Sequence, residues 1–580
     1  MADETRRTPG RAGPQDEWVD RRSFLERMGL LTAAAAAGCA PTPIVPGSTA
    51  PPSPLSRPAD VLPRPEDVRA TRPWEMTLAQ LASLIREGAL APSDVVDGYL
   101  GRIDALDPVL LAFNTVTADQ ARSIARSLDG TEWRGPLHGI PLAIKDNYHT
   151  SGVLTTANSH IFADFVPESD ATSWARLSAA GAILLGKTQM GPLATSRATT
   201  PDGEATTMNA WASHDPDVSP GGSSSGSATA VAARLAASST GTQTGGSITN
   251  PSSRQGLTGL KPTMGRVSLH GIIPLSYTRD HAGPLARDAK DAALMLQTMA
   301  GPDPADSRTL GLPSVPDYGL AADAVRQGGR VTLRWPTTVG VPPGFLDVPE
   351  PRDPGRFRSE RQVDPVAREE RLRVARERNE AEVEARRTML ATFESLGARI
   401  VEVALPEDWE TLTGSDFNNV RLPERAEPFL EHLRRDVRLF GVSLSPWING
   451  LLLSGPEYLR GQRAKLLLLE RVLEGIFEEC DVVAQTSPIP FDIIGLPLIT
   501  FPIGFERSRG FDLPVGGMLG GKPFGEERLL SLAAAYQAET DWHLRRPVDP
   551  NPRPGGSGGQ PGDRAGRPRL DVLQVMEECE

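Results

Sequence analysis

Lysine is scarce in this chain. Of 61 basic residues only six are lysines, at positions 145, 187, 261, 290, 465 and 522, so arginine is the default cation. What lysine offers and arginine does not is an amine able to lose its proton. Lys145 closes the apolar run of GIPLAIKDNYHT (residues 139–150), where burial would lower its pKa. A snorkelling side chain, or an ion pair with Asp146, fits that stretch equally well. Two Gly/Ser clusters follow, SPGGSSSGSATAVAA (219–233) and GTQTGGSITNPS (241–252). Glycines there let backbone N–H groups crowd around a reacting oxygen, with the adjacent serine as nucleophile. Taken alone, a GGS triplet reads as a turn. Rival chemistries lack their motifs in these clusters: neither forms GxxxxGK[ST] or GxGxxG, and HExxH is absent from the chain. His281 and His138 sit at no nucleophile elbow or partner spacing, which leaves them structural. Cys39, Cys480 and Cys579 are too sparse for a disulfide framework or a thiolate metal cluster.

Such groups need a scaffold, and the chain between Pro73 and Pro547 alternates helix and strand signals. Thr77 and Gln80 have capping-box spacing, with Leu78, Leu81, Leu84 and Ile85 on one helical face and Gly88 as the stop. Ser93 is placed to cap a second helix carrying Val95, Val96, Tyr99, Leu100 and Ile103. The runs PLAIKD, GAILLG, ARIVEV and DVVAQT read as buried strands, and together these elements predict an α/β layered fold with a largely covered sheet. Residues 364–395 are densely charged at helical spacing and predict a solvated helix anchored by Met389, Leu390 and Phe393. With 39% hydrophobic residues, 580 residues can bury a substantial core. A net charge of −12, with no basic stripe, argues against a nucleic-acid partner.

The N-terminal segment DRRSFLERMGLLTAAAAAGCA, from Asp20, resembles a twin-arginine export signal with a lipoprotein-type cleavage site. On that reading residues 1–39 are a signal segment that engages the twin-arginine export machinery, and Cys39 is the lipidated residue. Ala36 is a weak match to the cleavage motif, which keeps plain secretion as the alternative to a membrane anchor. The expected location is therefore extracytoplasmic. Residues 40–73 read as a Pro-rich linker, and residues 548–580 as a Pro/Gly-rich disordered tail.

The two Gly/Ser clusters, GGSSSGSA and GTQTGGSITNPSSRQGLTGLKPTMGRVS, with GIPLAIKD upstream, resemble the signature of the amidase signature family of serine hydrolases. The likeness extends to TLAQLASLIREGAL, GAILLGKTQMGPLA, RDHAGPLARDAKDAA and GLPLITFPIG. It implies a single α/β/α domain over residues 74–547, built on a large mixed β-sheet flanked by helices, with no metal or organic cofactor. It also implies a Ser-cisSer-Lys triad, with Ser247 as nucleophile, Ser223 bridging through a cis peptide, and Lys145 as base. Backbone N–H groups of Thr244, Gly245, Gly246 and Ser247 would form the oxyanion hole. Three positions depart from the family pattern: Gln243 for Asp, Thr249 for Arg and Ser225 for Gly. Losing both partners of an ion pair is tolerable where losing one is costly, so Gln243 and Thr249 read as a compensated pair. The implied activity is hydrolysis of a small-molecule or peptide carboxylic amide to acid and ammonia or amine through an acyl-enzyme. Two alternatives are a glutamine-hydrolysing amidotransferase-type subunit, against which export would argue, and an inactive binding lipoprotein that keeps the fold.

Overall fold

In the computed structural model, the structure describes residues 62–351 and 365–551. Its strands are β1 (Phe113–Val116), β2 (Pro141–Lys145), β3 (Ile183–Thr188), β4 (Ser238–Gln243), β5 (Thr258–Lys261), β6 (His281–Ala286), β7 (Val325–Gln327), β8 (Arg330–Thr332), β9 (Thr338–Val341), β10 (Arg399–Glu402), β11 (Val482–Ala484), β12 (Leu498–Ser508) and β13 (Phe511–Gly521). All but β7 and β8, which form their own small hairpin, join one 11-stranded sheet in the order β1-β3-β2-β4-β6-β5-β12-β13-β11-β9-β10. The sheet is mixed. β2 runs parallel to β3 and β4, β9 runs parallel to β10 and β11, and the remaining pairs are antiparallel.

Every residue of β2, β3, β4, β5 and β6 is buried, because helices cover both faces of the sheet centre. β4 reads SSTGTQ, which carries no apolar run. Its hydroxyls are satisfied inside the sheet instead: Ser238 Oγ donates to Leu285 O at 2.9 Å and Ser239 Oγ to Ala143 O at 2.7 Å. The parallel register, Leu142 opposite Ser238 and Ala143 opposite Ser239, brings the C-terminal ends of β2 and β4 to the same edge. Lys145 and the loop after Gln243 therefore meet there.

The helix Leu78–Arg86 has the expected capping box, with Thr77 Oγ1 accepting from Gln80 N and Gln80 Oε1 accepting from Thr77 N. Ser93 does not cap the next helix. That helix spans Pro92–Leu110, and Pro92 at its first position has no N–H to satisfy, so the start needs no hydroxyl there. The N–H of Ser93 is taken by Asp129 Oδ1 at 3.0 Å. The charged helix spans Pro365–Ser395 and is anchored by the buried Met389, Leu390 and Phe393. ARIVEV forms β10, which lies at the sheet edge and is only partly covered.

Candidate active site

Two close backbone approaches explain the first glycine pair. A Cβ at Gly222 would stand 2.5 Å from Ser196 O, and one at Gly221, where φ is +81°, would stand 2.5 Å from Pro251 Cα. The chain passes through this gap and turns by a cis peptide between Gly222 and Ser223. Ser225 then begins the helix Ser225–Ala232 and ties it to the turn, its Oγ donating to Gly221 O at 2.6 Å and accepting from Ala198 N at 2.9 Å. Serine at this departure from the family pattern thus makes contacts that glycine could not.

Lys145 ends β2 fully buried. Its Nζ donates to Ser223 Oγ at 2.9 Å and to Thr242 Oγ1 at 2.7 Å. Burial lowers its pKa to about 7, while the more distant Asp280 raises it only in part. Two other lysines are just as deeply buried, and each has a carboxylate: Lys187 lies 3.4 Å from Asp146 and Lys261 lies 3.6 Å from Asp492. Lys145 is in no ion pair among the described residues. Asp146, its sequence neighbour, faces Lys187 and accepts from Asn114 Nδ2, Thr156 N and Thr156 Oγ1.

Ser247 closes the loop after β4, one residue before the N-cap Ile248 of the helix Thr249–Gln255. Gln243 folds under this loop, its Oε1 accepting from Ile248 N at 2.8 Å, Thr249 N at 2.9 Å and Thr249 Oγ1 at 3.2 Å. Its Nε2 donates to Asp492 Oδ1 at 2.8 Å. Gln243 and Thr249 are thus in contact, and the buried carboxylate of this neighbourhood is Asp492, paired with Lys261. The four expected oxyanion donors are not equivalent. The Gly246 N–H is already engaged by Asp492 Oδ2 at 2.8 Å, whereas the N–H groups of Thr244, Gly245 and Ser247 hold no hydrogen bond among the described residues. Asp280 braces the same loop by accepting from Thr244 Oγ1 at 2.5 Å. The structure brings Lys145 and Ser223 into contact, and no hydrogen bond yet links the Ser223 and Ser247 hydroxyls among the described residues. Catalytic hydrogen bonds of this kind commonly tighten only when substrate is bound.

His281 and His138 take no part. His281 Nδ1 lies 2.7 Å from Arg279 O, and burial holds its pKa well below the usual value. His138 is buried with its pKa lowered by desolvation. Sequence reasoning passed over Thr242, Asp280, Lys261 and Asp492. The same scarcity that singled out Lys145 applies to Lys187 and Lys261, and pairing each with a buried Asp was the available signal.

A protein-family model described as Amidase matches residues 94–347. A glutamyl-tRNA(Gln) amidotransferase subunit from Geotalea daltonii is 33% identical over 528 residues, covering 82% of this chain and 99% of that protein. The chain belongs to the amidase family. Among solved structures, the native peptide amidase from Stenotrophomonas maltophilia superposes with a TM-score of 0.65 at 29% identity, covering 82% of this chain and 98% of that one. Amidase signature enzymes hydrolyse amide C–N bonds, and this chain is an enzyme of that class acting on an amide substrate.

The expectation of an exported enzyme is overturned by these relatives. Proteins matched over four fifths of the chain bear the name of a tRNA-linked enzyme, whose reaction belongs to the cytoplasm, and they give the twin-arginine export machinery no place as a partner. The physical weakness of the export reading lies in its signals. Arg-Arg pairs recur at 6–7, 386–387, 434–435 and 545–546, so the pair at 21–22 carries little information in an arginine-rich chain. The alanine run after it offers little apolar area. Arg21, Arg22 and Cys39 lie outside the described residues, and among those described no helix is long and apolar enough to cross a membrane.

Proposed function

We propose that the chain hydrolyses a carboxylic amide through a Ser247 acyl-enzyme, with Ser223 as proton relay and Lys145 as base. The observation that carries this reading is the contact of Lys145 Nζ with Ser223 Oγ at 2.9 Å, in a buried pocket with no carboxylate paired to the amine. A pKa of about 7 leaves much of the amine neutral at neutral pH, with a lone pair for the Ser223 proton. Ser223 in turn takes the proton of Ser247 as its Oγ attacks the amide carbonyl carbon. The free N–H groups of Thr244, Gly245 and Ser247 face the developing oxyanion, and removal of one such donor typically costs ~10²- to 10³-fold in rate. Collapse breaks the C–N bond, and the proton returns by the same path to the departing nitrogen. Water, deprotonated by the same pair, then releases the acid.

A second reading is favoured by the relatives matched over 99% of their own length: glutamine hydrolysis as the ammonia-yielding component of an amidotransferase. Ammonia release from glutamine, measured beside a panel of aliphatic, aryl and peptide C-terminal amides, separates the two. Activity on the panel without glutamine turnover supports the free-standing amidase. Glutamine turnover alone supports the amidotransferase reading. Absence of release from every amide, together with no labelling of the folded protein by a fluorophosphonate, would return the fold to the inactive binding protein.

A further inference from the structure

A cavity of about 250 Å³ opens beside the helix Thr249–Gln255, which begins two residues after Ser247. A single water needs only about 10 to 15 Å³ of such space, so this is room for a ligand. The walls come from that helix, from β12 and β13, from the helix Pro365–Ser395 and from residues 485–488. Two lining residues, Asn250 and Pro488, reach the loop after β4: a Cβ on Gly246 would stand 3.1 Å from Pro488 Cγ and 3.8 Å from Asn250 Cβ. The cavity therefore adjoins the loop that carries Ser247.

One group in its wall lacks a partner. Glu506 of β12 is 9% exposed, its Oε2 is buried without a hydrogen bond, and it is in no ion pair among the described residues. Burial raises its pKa to about 7, against which Arg378 and Arg254 act only in part. A buried acceptor left without a donor is costly, so one in a cavity wall points to a donor brought by a ligand. The other charges narrow the choice. Glu382 lies 3.5 Å from Arg378 and 3.5 Å from Arg386, and Arg386 also donates to Phe345 O at 3.3 Å. With Arg254, three guanidinium groups and two carboxylates line the cavity. An ammonium would meet that surplus of positive charge, and a carboxylate would meet Glu506. Asn250 is exposed, and its side chain holds no hydrogen bond among the described residues. A wall that offers an idle acceptor and idle donors suits a neutral group carrying an N–H beside a C=O.

We infer that this cavity binds an uncharged carboxamide or peptide group of the substrate, remote from the scissile bond, with Glu506 accepting its N–H and Arg254 or Asn250 donating to its C=O. The inference rests on the amide-hydrolase reading above. Val218, Leu513 and Val515 give the cavity an apolar wall for the chain that joins the two ends of such a substrate. Glu506 is then a specificity residue that selects among amides without touching the reacting atoms.

The test is calorimetric titration of full-length Ser247→Ala protein with two diamides, adipamide and suberamide, and with hexanamide and octanamide as their apolar counterparts. Suberamate and 6-aminohexanamide supply the anionic and cationic ends. At least one diamide should bind tenfold tighter than its apolar counterpart and tighter than both charged probes, and Glu506→Leu should abolish that preference. Glu506→Gln keeps the shape and the hydrogen bonding but removes the negative charge. In that variant suberamate should gain about tenfold while the diamides change less than threefold, a result that serves even where Glu506→Leu melts too low to titrate. A diamide preference that is absent, or that survives Glu506→Leu in a protein shown to be folded by thermal melting, overturns the proposal. So does tightest binding of either charged probe, or a suberamate affinity unchanged by Glu506→Gln. Binding here does not depend on turnover. A diamide preference that runs through Glu506, in a wild-type protein that releases ammonia from no amide, contradicts the hydrolase reading and leaves the carboxamide site standing.

Discussion

A lysine can serve as base only when it is neutral, and the burial of Lys145 is what makes that attainable near pH 7. Its pKa is lowered from 10.5 to about 7, so the active, unprotonated form grows as pH rises through about 7. kcat/KM should therefore climb with pH through one ionisation near 7 and then level off, rather than waiting for alkali. Lys145→Arg keeps the positive charge and cannot give up its proton, and activity should fall by roughly 10³-fold or more, the scale on which removing a triad member acts. Thermal melting alongside checks that the variant is folded. A folded Lys145→Arg enzyme that keeps most of its rate would make Lys145 a structural cation. Lys145 stood out in the sequence because lysine is rare in this chain, whereas Ser223 was placed only by the likeness of its Gly/Ser cluster to the family signature. Thr242 and Asp280 were not legible, since each is an ordinary polar residue whose role comes only from what the fold sets against it.

Between elements, the junction of the loop after β4 with the helix Ile489–Ile494 holds one buried carboxylate, not two. Gln243 Nε2 donates to Asp492 Oδ1 at 2.8 Å, so Gln243→Glu removes that donor and sets a second carboxylate against Asp492, whose ion-pair partner is Lys261. We expect a loss of about 3 kcal/mol in denaturant-derived stability, the range for an uncompensated buried charge. Adding Asp492→Asn returns the junction to one carboxylate and one amide, and should recover more than half of that loss. Strict additivity of the two changes would show that the positions do not interact. At the helix Leu78–Arg86 the capping box makes a simpler prediction: Thr77→Ala should cost about 1 kcal/mol and leave kcat/KM unchanged. The legibility of these elements followed their chemistry. PLAIKD and GAILLG announced buried strands, whereas β4 escaped because SSTGTQ reaches burial by satisfying hydroxyls rather than by apolar pattern. Ser93 misled because Pro92 starts that helix without needing a cap.

For the whole molecule, the mixed sheet and the family were legible because several separated motifs agree in order along the chain. The location was not, because it rested on an arginine pair and an alanine run outside the described residues. The sheet holds the site by long-range packing: Met389 of the helix Pro365–Ser395 lies where a Cβ on Gly517 of β13 would approach its sulfur to 2.7 Å. Met389→Ala should destabilise by roughly 2 to 5 kcal/mol in denaturant melts, with little change in kcat/KM at temperatures where the variant is folded. The central claim, that Ser247 is a nucleophile activated through Ser223 by Lys145, is tested most directly by fluorophosphonate inactivation followed across pH, with the modified residue located by mass spectrometry. The account predicts a single adduct on Ser247, formed at a rate that rises through a pKa of about 7 in wild type and is nearly abolished in Lys145→Arg. An adduct on another residue, or inactivation of Lys145→Arg at the wild-type rate, would contradict it.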